Sequence, residues 1–261
     1  MTAAVTPAPS GGGTADGATD GTTDAPRRAF VEQVMGMPVS VHLRGDVDSP
    51  SADAAVGQVF AHLRKVDEVF STWRADSELS RALRGELDPR DAHPWLAEVR
   101  ELCTVAELRT GGLFSAHTAD GGYDPTGLVK GWAVEGAAAH LAHVPGISFC
   151  LGAGGDLVAG AGYGAAPSSW RIGIEDPRDR SRVAATVELT RGGLATSGTA
   201  ARGAHILDPR SGAAVERSGS ATVWGPTLLW ADVWATALFV DPVAGAGVLE
   251  LAEPAYRHLV L

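Results

Sequence analysis

The chain has 261 residues, with 21 Lys and Arg against 31 Asp and Glu, giving a formal net charge of −10. This length fits one large domain or two small ones. The acidic balance argues against a broad nucleic-acid-binding surface and against docking on an anionic membrane face, because both need clustered positive charge. No apolar run approaches the ~20 residues that a membrane span requires. Positive charge is almost all arginine, since Lys65 and Lys130 are the only lysines.

The N-terminal segment, residues 1–29, differs in composition from the rest of the chain. It consists mainly of Ala, Thr, Gly, Pro, Ser and Asp. It cannot bury enough apolar surface to offset its chain entropy, so we predict a disordered, low-complexity tail. It shows neither a signal peptide nor a lipobox, and we expect a cytoplasmic protein. Residues 30–261 show no repeat or linker and are predicted to form one domain.

Hydrophobic periodicity predicts the elements of this domain in chain order. Alternation predicts extended structure at 30–44, and three- and four-residue apolar spacing predicts helices at 51–73, 94–109, 128–143 and 227–240. Strands are predicted at 147–151, 170–174, 184–190, 205–207, 220–224 and 258–261, and a short helix at 247–252. Helices come early and strands cluster late. This order favours an α+β fold with largely antiparallel sheets flanked by helices over a doubly wound fold.

Several common nucleotide and hydrolase motifs are absent. The glycine-rich stretch at 152–157 begins as GxG, but Leu157 stands where the third glycine of a dinucleotide-binding fingerprint belongs. The sequence also contains no P-loop, no HExxH and no GxSxG around Ser197.

An acidic residue stands inside an otherwise apolar helix. Asp232 and Thr236 are separated by four residues and therefore point from one helix face. An ionised Asp in such a helix is costly unless it is paired or binds a metal, and a carboxylate with a hydroxyl suits a hard cation such as Mg²⁺. The alternative is a surface or capping Asp with a Thr bonded back to the helix.

A turn at 124–127, Asp-Pro-Thr-Gly, leads into the helix that carries Lys130. A lysine in the first turn of a helix is mildly disfavoured by the helix dipole, so an anionic ligand or an acidic partner is plausible there. The alternative is a surface lysine that extends its ammonium group into water.

A third group of residues surrounds a tight turn. Thr196 and Ser197 precede His205, which stands before the Asp208-Pro209 turn. Small hydroxyl residues at a turn can bind an anion through backbone N–H groups, and a nearby His is a candidate general base. The alternative is a structural His beside an ordinary β-turn.

Taken together and in order, these segments resemble the FAD:protein FMN transferase family, called ApbE-like. No single motif is decisive, but eight or more occur in the family's order over roughly residues 30–242. The matching segments are MGMPV at 35–39, FSTW at 70–73, SELSR at 77–81, TGGLF at 110–114, DPTGLVKGWAVE at 124–135, GGD at 154–156, WxIxI at 170–174, ATSG at 195–198, HILDPRSG at 205–212 and ADVWAT at 231–236.

The resemblance implies a T-fold-like α+β domain and a Mg²⁺-dependent enzyme. Such an enzyme cleaves FAD as its substrate, attaches FMN through a phosphoester to a Thr or Ser hydroxyl of an acceptor flavoprotein, and releases AMP. By motif position, the metal ligands would be Asp232, Thr236 and the Gly127 carbonyl, and His205 would be the catalytic base. The residues implied for the FAD pocket are Met35, Ser77, Ser80, Lys130, Gly154, Gly155, Asp156, Thr196, Ser197 and Asp208.

The sequence departs from the family pattern in places. Leu83 replaces an Asn, Ser115 replaces an Asp, and Glu135 replaces the Asp that usually closes the KGWAV stretch. These changes leave open whether one or two metal ions bind. Two alternatives use the same residues: an FAD pyrophosphatase that yields FMN and AMP, and a non-catalytic FAD-binding protein.

Overall fold

The computed structural model describes residues 4–5, 25–198 and 206–261. Its helices are α1 Pro50–Phe70, α2 Glu78–Leu83, α3 Pro94–Arg109, α4 Thr126–Ala142, α5 Leu228–Val240 and α6 Pro242–Ala252. Its strands are β1 Ala4–Val5, β2 Arg27–Val34, β3 Met37–Gly45, β4 Ile147–Ala153, β5 Asp156–Ala161, β6 Trp170–Asp176, β7 Asp179–Leu189, β8 Gly192–Gly198, β9 Ser220–Gly225 and β10 Arg257–Val260.

The strands form two antiparallel sheets. The larger sheet has seven strands in the order β10-β9-β8-β5-β4-β3-β2, and the smaller has the order β1-β6-β7. One face of the larger sheet packs against helices α1, α4 and α5, which places the main core between sheet and helices. A smaller core, which includes Cys150, Leu157, Trp170 and Ile172, lies between the two sheets.

Helix α5 is the most deeply buried helix of the described part. Its Trp234, Leu238 and Phe239 are fully buried. Burying a side chain such as Leu or Phe contributes about 1.5–3 kcal/mol, so this apolar helix is held firmly at the centre. The polar residues that it carries are thereby fixed against α4 and β8.

The predicted class, α+β with antiparallel sheets flanked by helices, is confirmed, as is the single domain. Helix α3 spans the predicted residues, and α1, α4 and α5 agree within a few residues. Helix α6 is longer than the predicted 247–252, and the extended stretch at 30–44 is a hairpin that turns at Met35 and Gly36. Cys103 and Cys150 are buried and unpaired.

Four elements, β1, β5, α2 and β8, were not predicted. Helix α2 has 6 residues, too few to show a helical period. Residues 192–198 were interpreted partly as a tight turn but form β8, a central strand. Its glycines obscured the strand pattern, although Gly193 is required because a Cβ there would lie 2.3 Å from the Leu228 Cα.

The predicted tail lies mostly outside the described residues. Within it, Ala4–Val5 pair with β6, and Arg27 to Ala29 pair with β3, so the folded part begins before the predicted boundary at Phe30. Within the described ranges, no helix combines the length and apolar character needed to cross a membrane.

Candidate active site

A cleft of about 890 Å³ opens where α4, α5 and the end of β8 meet the β2–β3 turn. Its walls also include the end of α1, the loop at 113–119 and the segment at 206–212. Seven of the predicted site residues line it: Met35, Gly127, Lys130, Ser197, Asp208, Asp232 and Thr236. Residues from distant parts of the chain therefore converge on one cavity.

The centre of the site is a set of three charged side chains. Lys130 Nζ lies 2.6 Å from Asp156 Oδ2 and 3.5 Å from Asp232 Oδ1. Both carboxylates are buried, and the Lys130 side chain is 22% exposed. The interpretation of Lys130 as a lysine extended into water is therefore wrong, because its ammonium group lies between two buried carboxylates.

Asp232 is held by a backbone group as well as by Lys130. The Gly131 N–H donates a 3.0 Å hydrogen bond to Asp232 Oδ2. Burial raises the pKa of the Asp232 carboxyl, Lys130 opposes this shift, and Asp156 adds to it. The interpretation as a surface Asp is wrong as well, since the side chain is 2% exposed.

Hydroxyl groups extend this polar network along β8. Thr236 Oγ1 lies 3.1 Å from Ser197 Oγ, and Thr196 Oγ1 lies 2.9 Å from Thr222 Oγ1. The Thr196 N–H donates to Asp156 Oδ1 at 3.1 Å. The same strand therefore presents Ser197 to the cleft and anchors Asp156 beneath it.

The start of α4 brings Gly127 to the same place. Asp124 accepts a 2.9 Å hydrogen bond from the Thr126 N–H and shapes the turn. In a regular helix the Gly127 carbonyl accepts from the Gly131 N–H. The Gly131 N–H that donates to Asp232 lies one helical turn after Gly127, so two of the predicted metal ligands, Gly127 and Asp232, both lie near the start of α4.

These groups fit a hard cation. One carboxylate, one hydroxyl and one carbonyl are the oxygen donors that Mg²⁺ accepts, with water and phosphate completing its shell. Among the described residues, no three His, Cys, Asp or Glu side chains lie close enough together to hold a metal ion by themselves. The fit therefore depends on Asp232 acting together with Gly127 and Thr236.

The β2–β3 turn forms one rim of the cleft. Met35 has a φ of +54°, in the left-handed region that non-glycine residues rarely adopt. A Cβ at Gly154 would lie 2.8 Å from the Met37 sulfur, so the turn packs closely on the β4–β5 connection. A strained residue at a cavity is a common feature of functional sites.

The opposite rim is the segment at 206–215. Asp208 accepts two hydrogen bonds from the Arg210 guanidinium, at 3.0 Å from Nε and 2.8 Å from Nη2. Arg210 Nη1 also donates to Asp241 at 2.9 Å, where α5 ends and α6 begins. Asp208 therefore faces the cleft as part of an ion-pair network, and this contact lowers its pKa.

Other predicted residues do not line the cleft. Ser77 caps α2, and Ser80 Oγ lies 3.4 Å from the carbonyl oxygen of the cleft residue Ser71. Gly154, Gly155, Asp156 and Thr196 are not among the residues that line the cleft. His205, the predicted base, falls outside the described residues, which resume at Ile206.

Three further residues were not assigned to the site from the sequence. Trp73 stands at the cleft rim and is 97% exposed, and His117 also lines the cleft, with its ring 5.4 Å from that of Tyr123. Glu135 accepts a 2.9 Å hydrogen bond from the Leu229 N–H at the start of α5. Trp73 could have been assigned to the cleft from the sequence, because it belongs to the FSTW motif. The contact of Glu135 could not, because it depends on how the helices pack.

The fold and the cleft define a single-domain α+β protein whose cavity is lined by the buried Asp232 and by Lys130. A family model described as the ApbE family matches residues 117–257, more than half of the chain. The chain therefore belongs to the ApbE family.

Curated relatives carry the name FAD:protein FMN transferase. The Salmonella typhimurium protein is 36% identical over 117 residues, which cover 40% of this chain and 33% of the relative. The Haemophilus influenzae protein is 30% identical over 141 residues, covering 50% and 40%. The matched segment thus spans about a third of the length of the first of these relatives.

Solved structures show the same fold. The Pseudomonas stutzeri flavinyl transferase ApbE in its apo form has a TM-score of 0.72 at 22% identity, covering 92% of each chain. The flavin transferase ApbE from Vibrio cholerae has a TM-score of 0.69 at 18% identity, covering 90% of this chain and 97% of that chain.

Proposed function

We propose that this protein is a Mg²⁺-dependent FAD:protein FMN transferase. The observation that carries the proposal is the buried Asp232, which lines the cleft beside Lys130 and Thr236 in a member of the ApbE family. The names of the relatives supply the substrate class, and the oxygen donors around Asp232 suit the metal.

In this proposal the reaction joins FMN to a protein hydroxyl. The oxygen of a Thr or Ser of the acceptor flavoprotein attacks the FMN phosphorus of FAD, the P–O bond to AMP breaks, and AMP leaves. His205 takes the hydroxyl proton, a role that contributes about 10²–10⁴-fold to rate. Phosphoryl transfer otherwise depends mainly on positioning and on neutralising charge.

The metal would be held by Asp232, Thr236 and the Gly127 carbonyl. When bound, Mg²⁺ neutralises charge on the phosphate oxygens of FAD. Lys130 adds a fixed positive charge in a protein whose net charge is −10 and whose substrate is also an anion. Met35, Ser197 and Asp208 contribute the walls that orient FAD, while Asp156 and Thr196 support those walls from behind.

The test is incubation with FAD, Mg²⁺ and candidate acceptor flavoproteins, read by in-gel flavin fluorescence and mass spectrometry. The expected product is an acceptor carrying FMN through a phosphoester on Thr or Ser. We expect Asp232→Asn and His205→Ala to lose at least 10²-fold in rate. Asp179→Asn and His143→Ala, at exposed positions, are the matched controls and should keep full activity.

Other outcomes would overturn the proposal. Free FMN and AMP without an adduct on any acceptor would indicate an FAD pyrophosphatase in which water replaces the protein hydroxyl. Unchanged FAD turnover in Asp232→Asn and His205→Ala would show that neither residue has a catalytic role. FAD binding without any turnover would indicate a flavin-binding protein.

A further inference from the structure

The buried charges around Lys130 are arranged unevenly. The Lys130 ammonium is 0.9 Å closer to Asp156 than to Asp232, at 2.6 Å against 3.5 Å. Asp156 is fixed in place, because its second oxygen accepts the Thr196 N–H and its residue begins β5. Asp232 instead faces the cleft.

We propose that Asp156 is a positioning residue that holds Lys130 away from Asp232 and so keeps the Asp232 carboxylate available to a divalent cation. This inference rests on the proposed metal role of Asp232. The ammonium group and the metal compete for the same carboxylate, and like charges nearby repel. The position of Lys130 therefore sets the affinity for the metal.

The contacts of Asp156 with the described residues favour an indirect role. It does not line the cleft, and its side chain is completely buried. Its two described polar contacts are with Lys130 and with the backbone of Thr196. Its influence on the cleft is thus transmitted by the ammonium group of Lys130.

The consequence can be measured with Mn²⁺ alone. In the full-length protein freed of flavin, we expect Asp156→Asn to weaken Mn²⁺ binding by about tenfold, or about 1.4 kcal/mol, because Lys130 is then drawn more strongly to Asp232. We expect Lys130→Met to tighten Mn²⁺ binding by a similar factor, because the competing cation is gone. The readout is the electron paramagnetic resonance signal of free Mn²⁺ during titration.

The double variant separates positioning from a direct effect of charge. If Asp156 acts through Lys130, then Asp156→Asn has little further effect in the Lys130→Met background. If the two effects are simply additive, Asp156 acts on the metal by its own charge and the inference is wrong. Lys65→Met, where the side chain is 44% exposed, and Asp179→Asn, at an exposed position, make the same charge changes as Lys130→Met and Asp156→Asn and should leave Mn²⁺ affinity unchanged.

Failure of the inference is distinguishable from failure of the proposed function. If the unaltered protein and Asp232→Asn bind Mn²⁺ equally, the metal role of Asp232 is wrong. If Asp232→Asn loses binding while Asp156→Asn and Lys130→Met match the unaltered protein, only the positioning role is wrong. Should Lys130→Met not fold, Lys130→Gln replaces it, since an amide can still donate hydrogen bonds to both carboxylates.

Discussion

Gly131 and Asp232 approach each other so closely that a Cβ on Gly131 would lie 2.9 Å from the Asp232 Cβ and 3.1 Å from the Leu228 carbonyl oxygen. The two residues are 101 positions apart, and their contact fixes α5 against α4. The missing side chain allows the Gly131 N–H to reach the carboxylate that we assign to the metal.

Gly131→Ala should therefore separate the two helices. We expect a loss of about 1–3 kcal/mol in the free energy of unfolding, as for other overpacked core sites, together with a large loss of flavin transfer. Denaturant unfolding and the in-gel fluorescence assay measure the two effects. Gly57→Ala is the matched control, because Gly57 is an exposed position in α1 with open space around it. It should stabilise the protein by about 0.5–1 kcal/mol.

The strained turn at Met35 offers a second test. Asn tolerates a positive φ better than Met, so Met35→Asn should raise the free energy of unfolding by up to about 1 kcal/mol. The same change removes the side chain from the cleft and should weaken FAD binding, measured by flavin fluorescence. Gly36→Ala places a side chain at a φ of +71° and should have the opposite effect on stability. Equal stability effects of the two variants would contradict the strain argument.

The partly buried carboxyl of Glu135 should make the free energy of unfolding depend on pH. Burial raises the pKa of its carboxyl, an effect partly offset by hydrogen bonds from the N–H groups of Leu229 and Leu228. A carboxyl with a raised pKa in the folded state binds more protons there than in the unfolded chain, so stability falls as the pH rises through that pKa.

Glu135→Gln keeps an oxygen for the Leu229 N–H but does not ionise. The difference in free energy of unfolding between this variant and the unaltered protein should therefore grow in favour of Gln as the pH rises above about 4.5, the ordinary Glu value. Chemical unfolding between pH 4 and 8 measures it. Glu250→Gln, at an exposed position in α6, should show no such trend. A difference that does not change with pH would exclude the effect.

Mg²⁺ without FAD should bind weakly. The proposed ligands include a single carboxylate, Asp232, and Lys130 lies 3.5 Å from it, so substrate phosphates are needed to complete the shell. Isothermal titration calorimetry on flavin-free protein is the measurement, and tight binding would contradict the proposed ligand set. Thr236→Val should weaken the binding further, while Thr236→Ser, which keeps the hydroxyl, should preserve it.

Part of the site was accessible from local sequence. Asp232 and Thr236 were singled out because a charged residue in an apolar helix needs a compensating partner, although a surface or capping Asp stayed an alternative until the family resemblance was considered. The partners themselves were not accessible in this way. The pairing of Lys130 with Asp156 depends on how α4 packs over β5, and the contact of Ser197 with Thr236 depends on β8 lying beneath α5.

The sequence by itself determined the α+β class, the long helices and the order of family motifs, because helical periodicity and motif order are properties of neighbouring residues. The tertiary structure alone decided that residues 192–198 are a central strand, that Lys130 stands between two buried carboxylates, and that Asp156 lies behind the cleft wall. These are consequences of strand pairing and helix packing between segments far apart in the chain, which the pattern of neighbouring residues does not determine.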